Sequence, residues 1–143
     1  MAEEVFILIA EDDEDDRFIL KTAFDENGFK DRLEFVRNGI ELEHYLEREL
    51  EKGIEAIYPR FILLDLNMPM KDGRETLEEL KKHPVFKHIP VIVFSTTHNE
   101  QEMKKCYALG ANSYISKPGD YATLLETIKV LRTYWIKIAS IPR

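Results

Sequence analysis

Four consecutive apolar residues, Phe61-Ile-Leu-Leu64, run straight into a lone carboxylate, Asp65, and then into a turn that carries Pro69 and Gly73. A short unbroken apolar run reads as a strand buried on both faces, the kind found in a parallel sheet covered by helices. Asp65 then stands where a strand leaves the core, and in open α/β sheets that end is where ligands bind. An aspartate there serves as a helix cap, a metal ligand or a nucleophile. The surrounding chain has to discriminate between these roles.

Val5 to Ala10 is a second buried run, closed by the acidic stretch Glu11-Asp12-Asp13-Glu14-Asp15-Asp16. Arg17 to Asn27 spaces Phe18, Leu20, Ala23 and Phe24 roughly as a helix, with Gly28 as its stop. Leu33 to Val36 reads as a short strand and Asn38-Gly39 as the turn after it. Ile40 to Lys52 is an amphipathic helix with Leu42, Tyr45, Leu46 and Leu50 inward. A loop from Glu51 to Pro59 leads into the Asp65 strand. A helix with Leu77 and Leu80 on one face follows Gly73 and ends near His83 at Pro84. Val91 to Phe94 is a fourth strand, with Ser95-Thr96-Thr97 as its exit. Glu100 to Leu109 is a helix stopped by Gly110, and Ser113 to Ser116 is a fifth strand before Lys117-Pro118. The last helix is expected from Tyr121 to about Ala139, with Leu124, Leu125, Ile128, Leu131, Trp135 and Ile138 as its stripe.

Strands alternate with helices five times, which predicts an α/β, doubly wound, three-layer sandwich on a five-stranded parallel sheet. Of the common orders, the flavodoxin-like 2-1-3-4-5 suits five strands. Neither a repeat nor a linker divides the chain, so one domain is expected over residues 1–143, with its core at about 5–139. This order gathers Glu11, Asp12 and Asp65 at one end of the sheet, with Ser95 and Lys117 on the next two strand ends.

A formal net charge of −7 and the lack of clustered Lys and Arg argue against nucleic-acid binding. Lys81-Lys82 and Lys104-Lys105 read as solvated helix faces. Cys106 is the only cysteine, which excludes an internal disulfide, fits a reducing compartment and reads as a semi-buried helix residue. Val5 to Ala10 is too short to span a membrane and no signal peptide is evident, so no membrane association and a cytoplasmic location are expected.

Three carboxylates in one crevice repel each other unless a cation lies among them. A hard ion such as Mg²⁺ suits an all-oxygen site, and the absence of nearby His or Cys argues against zinc or copper. Lys117 adds a positive charge and Ser95 a hydroxyl. A phosphoryl group suits such a pocket, because its transfer depends on positioning and on neutralising oxygens. Asp65 can then be the nucleophile that forms an acyl phosphate.

Four segments, Ile-Leu-Ile-Ala-Glu11-Asp12, Leu-Leu-Asp65-Leu-Asn-Met-Pro69 with Gly73, Val-Ile-Val-Phe-Ser95 and Ser-Tyr114-Ile-Ser-Lys117-Pro118, resemble the receiver domains of bacterial two-component response regulators. The resemblance covers nearly the whole chain and implies a CheY-like fold. It implies that Asp65 accepts phosphate from a sensor histidine kinase, with Lys117 contacting the phosphate and Ser95 and Tyr114 as switch residues. It also implies Mg²⁺ held by Asp12, Asp65 and the Asn67 carbonyl, with Glu11 reaching the ion through water, and a cis bond before Pro118. Leu-Asp-Leu-Asn-Met-Pro, Ser-Thr-Thr, Leu-Gly-Ala-Asn-Ser-Tyr and Tyr134-Trp135 are similar to stand-alone regulators paired with bacterial phytochrome kinases. Glu11 for Asp, Ser95 for Thr, and Gly119-Asp120 after the proline depart mildly from the family pattern.

Glu14, Asp15 and Asp16 read as residues favouring a helix N-terminus, and His44, His83, His88 and His98 as surface residues. Asn67 and Thr97 are expected to tune the lifetime of the phosphate. Tyr134 and Trp135 read equally as core or as self-association surface. The expected role is a phosphoacceptor switch without an output domain, not an enzyme in its own right. Phosphate on Asp65 is expected to draw Ser95 inward and let Tyr114 enter from the surface. That would alter the face of helix 4, strand 5 and helix 5, through which a homodimer is expected. The rival is a Mg²⁺-dependent phosphohydrolase with an aspartyl nucleophile. Such enzymes commonly carry a second acid two residues on, where this chain has Asn67.

Overall fold

A computed structural model describes residues 5–142, in which five strands alternate with five α-helices. These are β1 (Phe6–Ala10), α1 (Glu14–Glu26), β2 (Arg32–Val36), α2 (Gly39–Glu51), β3 (Phe61–Leu64), α3 (Gly73–Lys82), β4 (Val91–Ser95), α4 (Glu100–Ala108), β5 (Ser113–Ser116) and α5 (Tyr121–Arg132). The sheet is wholly parallel in the order β2-β1-β3-β4-β5, as the alternation predicted. Its central strands are buried at every position because successive side chains point to opposite faces and both faces are covered. Phe6, Leu8, Ala10, Ile62, Leu64, Val91 and Val93 pack with α2, α3 and α4 residues such as Leu42, Leu77 and Cys106. Ile7, Ile9, Phe61, Leu63, Ile92 and Phe94 pack on the other side with Phe24 of α1 and Ile128 of α5.

Every α-helix starts at an Asp or Asn whose side chain accepts amide hydrogens of the first turn: Asp13, Asn38, Asp72, Asn99 and Asp120. Asp13 therefore starts α1 earlier than its apolar spacing implied. Asn38-Gly39, expected as a turn, is instead the cap and first residue of α2, with Asn38 Oδ1 accepting from Glu41 N at 2.9 Å.

Several side chains point otherwise than the spacing predicted. Phe18 is 70% exposed, since it is out of phase with the buried Leu20, Ala23 and Phe24. Leu50 is also exposed, because Glu49 takes the inward position after Leu42 and Leu46. Its carboxylate accepts from Ile57 N and Lys52 Nζ, which pins the loop ahead of β3. α5 ends at Arg132 and gives way to a π-helical turn over Thr133–Ile138, closed by Ala139 N donating to Tyr134 O at 2.7 Å. The wider turn changes the phase of the stripe. Trp135 and Ile136 reach the core while Ile138 is 65% exposed, so the expected α-helix to Ala139 and the inward Ile138 are both corrected.

Lys81 does not lie on a solvated face. Its Nζ donates to Lys87 O, Ile89 O and Asn112 Oδ1 at 3.2, 2.9 and 2.9 Å, tying α3 to the starts of β4 and β5. Burial among these uncharged oxygens pushes its pKa down to about 8. Gly110, at φ +110°, lies under the same side chain, where an added Cβ would come within 2.7 Å of Lys81 Cγ. Cys106 is fully buried rather than semi-buried. His83 is structural: its Nδ1 accepts from Val85 N and Phe86 N, and its ring stacks on Phe86 at 3.8 Å. No cis peptide bond occurs among the described residues, so the bond before Pro118 is trans, contrary to the expectation.

Candidate functional site

Register brings the acids together. β1 and β3 pair up to Ala10 opposite Leu64, and Asp65 N donates to Ala10 O at 3.1 Å, so Glu11 and Asp65 leave adjacent strand ends side by side. One carboxylate oxygen from each of Glu11, Asp12 and Asp65 lies within 4.8 Å of the others. Glu11 and Asp65 are buried, while Asp12 is exposed at the mouth. Asp13 N supports Glu11 from above, donating to its Oε2 at 3.3 Å.

β4 and β5 deliver the cation and the hydroxyl. Ser95 pairs with Ser116, and Lys117 N donates to Ser95 O at 2.7 Å, which aims the lysine across the acids. Lys117 Nζ lies 2.7 Å from Glu11 Oε1, 3.7 Å from Asp65 Oδ2 and 3.8 Å from Asp16 Oδ2. The lysine is thus held first by Glu11. Asp16, read from the sequence only as a helix-terminus charge, borders the site because α1 starts directly over it.

Burial raises the Glu11 pKa from its usual 4.5 to about 7; Lys117 opposes the shift and the Asp65 charge adds to it. Burial raises Asp65 as well, opposed by Lys117 and by the Asn67 amide, which donates to its Oδ1 at 3.3 Å. Held by Glu11 and the nearby acids, Lys117 is raised despite its own burial. A carboxyl raised on folding favours the folded state while protonated. Its contribution is complete below its unfolded value and is lost as pH climbs to about 7. In metal-free buffer the protein should lose on the order of 2 kcal/mol of stability between about pH 5 and about pH 8. Glu11→Gln should flatten that slope in chemical denaturation, and an unchanged slope would contradict the assignment.

The β3–α3 connection closes over Asp65. Gly73 N donates to Leu66 O at 2.9 Å, and a Cβ on Gly73 would stand 2.4 Å from Asp65 O and 2.7 Å from Leu66 Cα. Only a residue without a side chain permits that approach. Met70, at φ +67° and 82% exposed, occupies the tip of the same loop.

Ser95 is fully buried, with Oγ accepting from Thr97 N at 3.2 Å. Tyr114 already lies inside, its hydroxyl donating to Thr97 O at 3.1 Å. The expectation that it waits at the surface is therefore corrected: the Thr97 carbonyl satisfies its hydroxyl in the buried position. Thr97 is the hinge of both contacts. Nothing in the sequence marks that bridging role, which depends on how the loop after β4 folds back. Trp135 is packed against the core whereas Tyr134 is exposed, which divides the roles left open for that pair.

The donor set fits a hard cation, with two buried carboxylates, one exposed carboxylate and no sulfur or imidazole among them. The raised pKa values give a physical sign of the fit, because crowded, desolvated carboxylates are relieved by a positive charge.

The model of one protein family, described as the response regulator receiver domain, matches residues 7–129. The probable methanogenesis regulatory protein FilR2 of Methanothrix harundinacea is 34% identical over 136 residues, covering 94% of this chain and 86% of that protein. Response regulator Rcp1 of Synechocystis is 32% identical over 136 residues, covering 95% and 92%. A structure of Rcp1 in its Mn²⁺-bound form superposes with a TM-score of 0.84 over 97% of this chain and 99% of that one. The phosphorylated cyanobacterial phytochrome response regulator RcpA is similar at 36% identity and a TM-score of 0.87, covering 99% and 100%.

Proposed function

Because the chain belongs to the response regulator receiver family, we propose that Asp65 is its phosphoacceptor and that Asp12, Asp65 and the Asn67 carbonyl hold Mg²⁺, with Glu11 behind a water. The observation that carries this reading is the buried Asp65 carboxylate, set between a carboxylate cluster and Lys117 at 3.7 Å. An Asp65 oxygen forms the bond to phosphorus as the nitrogen–phosphorus bond of the donor histidine breaks, and the imidazole nitrogen leaves with the electron pair. Lys117 neutralises charge on the transferred group, exchanging part of its contact with Glu11 for the phosphoryl oxygens. The Ser95 hydroxyl, whose oxygen accepts from the Thr97 amide, donates its own hydrogen to a phosphoryl oxygen. A Mg²⁺ ion held by Asp12, Asp65 and the Asn67 carbonyl would supply the remaining neutralisation.

The donor we propose is a sensor histidine kinase of the phytochrome type, acting in the cytoplasm; the 36% identity to RcpA over nearly the whole chain supports that choice. Incubation with a phosphorylated kinase, or with acetyl phosphate and Mg²⁺, should add one phosphoryl group that survives acid and is lost in mild base. Multiple turnover of the donor at a steady rate would instead favour the phosphohydrolase reading.

Asp12→Ala should weaken Mg²⁺ binding by about tenfold or more and Glu11→Ala by less, since Asp12 touches the ion directly in this reading. Calorimetry checks the order, and equal losses would remove the distinction between direct and water-mediated contact.

The output surface we propose is the face of α4, β5 and α5, used to form a homodimer. Tyr107, Val130 and Tyr134 expose apolar area there, and aromatic residues anchor interfaces well. Sedimentation should give a dimer for wild type and a monomer for Tyr134→Ala combined with Val130→Ser. A wild-type monomer both with and without beryllofluoride would rule this out.

A further inference from the structure

The ends of the strands remote from Asp65 close around a second feature, a cavity of about 420 Å³. That volume lies within the range of small-molecule sites, roughly 300–1,000 Å³. Its walls come from three connections: Ile57 from the segment before β3, Val85 and Ile89 from the segment before β4, and Ile141 from the chain beyond the π-turn. All are aliphatic. Three residues with polar side chains join them, Tyr58, Arg60 and His88, of which Arg60 alone carries a permanent charge. The backbone of Arg60 is fixed, with its amide donating to Phe6 O at 2.8 Å. Its guanidinium has no acidic partner among the described residues; the same holds for Arg37 and Arg48, but those two are exposed on the surface, and Arg17, Arg32, Arg74 and Arg132 each pair with a carboxylate. In a chain of net charge −7 that is a conspicuous place for an uncompensated cation.

We propose that this cavity binds a small amphipathic carboxylate, with the alkyl or aryl body between Ile57, Val85, Ile89 and Ile141 and the acid group on the Arg60 guanidinium. An arginine presents two parallel donors that match a carboxylate, and a half-desolvated setting strengthens the pair. The His88 imidazole offers a further donor to the same group. The apolar walls select for a body without charges, and the single positive end selects against amines. Arg60 and Asp65 lie at opposite ends of one strand, roughly 16 Å apart along it. The site is therefore separate from the phosphoacceptor and works whether or not Asp65 carries phosphate. A ligand seated against Ile141 would also hold the chain segment beyond the π-turn to the body of the domain.

Decanoate is the probe, with decanol and decylamine as chain-matched neutral and cationic controls, titrated into the full chain by calorimetry and by amide NMR. Wild type should bind one decanoate at least tenfold more tightly than decanol, equal to about 1.4 kcal/mol. Decylamine should bind more weakly than either. Amide shifts should centre on Ile57, Arg60 and Ile89 and leave Asp65 and Lys117 unmoved. Arg60→Gln, a substitution at a partly exposed side chain, should reduce decanoate to the affinity of decanol without changing decanol. Ile57→Trp, from a position 37% exposed, should fill the cavity and remove binding of both. Asp65→Asn should bind decanoate as wild type does. Equal affinities of decanoate and decanol, retention of the preference in Arg60→Gln, or shifts centred away from these residues would overturn the proposal.

Discussion

Asparagine at position 65 should leave the protein folded and reduce phosphoryl uptake from acetyl phosphate or from a kinase by about three orders of magnitude or more. The amide matches the carboxylate in shape but has no anionic oxygen to attack phosphorus, and none of the neighbouring groups replaces it. Glu11 is occupied by Lys117 at 2.7 Å, and Asp12 faces solvent at the mouth of the site. Thermal stability supplies the control. Asp65 is raised by burial, so its charge is a cost to the fold, and its removal should be neutral or stabilising. The same substitution relieves Glu11 of a like charge, so the pH slope of stability near neutrality should shift toward lower pH. Uptake at the wild-type rate would show that Asp65 is not the nucleophile; a Tm well below wild type would show that its carboxylate supports the fold.

Gly73→Ala should be the most damaging single-methyl change near the site. The added carbon would stand 2.4 Å from Asp65 O and 2.7 Å from Leu66 Cα, and both are backbone atoms that move only if the end of β3 moves. Overpacking of this kind costs about 3 kcal/mol where backbone must yield. For a chain of this size that corresponds to a Tm lower by roughly 10 °C. Because the displaced atoms belong to Asp65 itself, phosphoryl uptake should also slow by about tenfold to a hundredfold under conditions where the variant remains folded. Gly28 and Gly119 serve as comparison sites, since a Cβ at either meets nothing within 4 Å. Gly119→Ala, which has no positive φ to relax, should be close to neutral. A Gly73→Ala protein as stable and as active as wild type would refute the close-approach argument.

The order of the sheet and the convergence of Glu11, Asp12 and Asp65 were legible because both rest on local patterns. Continuous apolar runs of four to six residues marked the buried strands. Their exits carried Glu11, Asp65, Ser95 and Lys117, and in a parallel sheet all exits lie at one end. The helix starts are equally local, each an Asp or Asn at the cap, but apolar spacing alone placed the first at Arg17 and took Asn38-Gly39 for a turn. The misreadings at Phe18, Leu50 and Ile138 share a different cause. Each lies on a stripe of apolar spacing whose buried positions are taken by other residues, Leu20, Ala23 and Phe24 in the case of Phe18. On α2 the buried Glu49 is satisfied by the Ile57 amide and takes the inward position. Beyond α5 a single wide turn resets the phase and brings in Trp135 and Ile136.

Residue types and their strand-end positions were thus enough to predict a parallel α/β sheet and its acidic pocket, since a parallel sheet converts sequence position directly into a shared edge, while the receiver family came from the resemblance of four segments. Distances and states were decided by tertiary packing. Lys117 rests on Glu11 rather than on Asp65, Tyr114 is already inside on the Thr97 carbonyl, and Lys81 is a half-buried tie instead of a solvated cation. Each of these depends on which partner a long side chain reaches at a separation of 17 or more positions along the chain, or across a neighbouring connection. Such choices turn on differences of about 1–3 kcal/mol in desolvation and hydrogen bonding, and spacing along the chain carries no record of them.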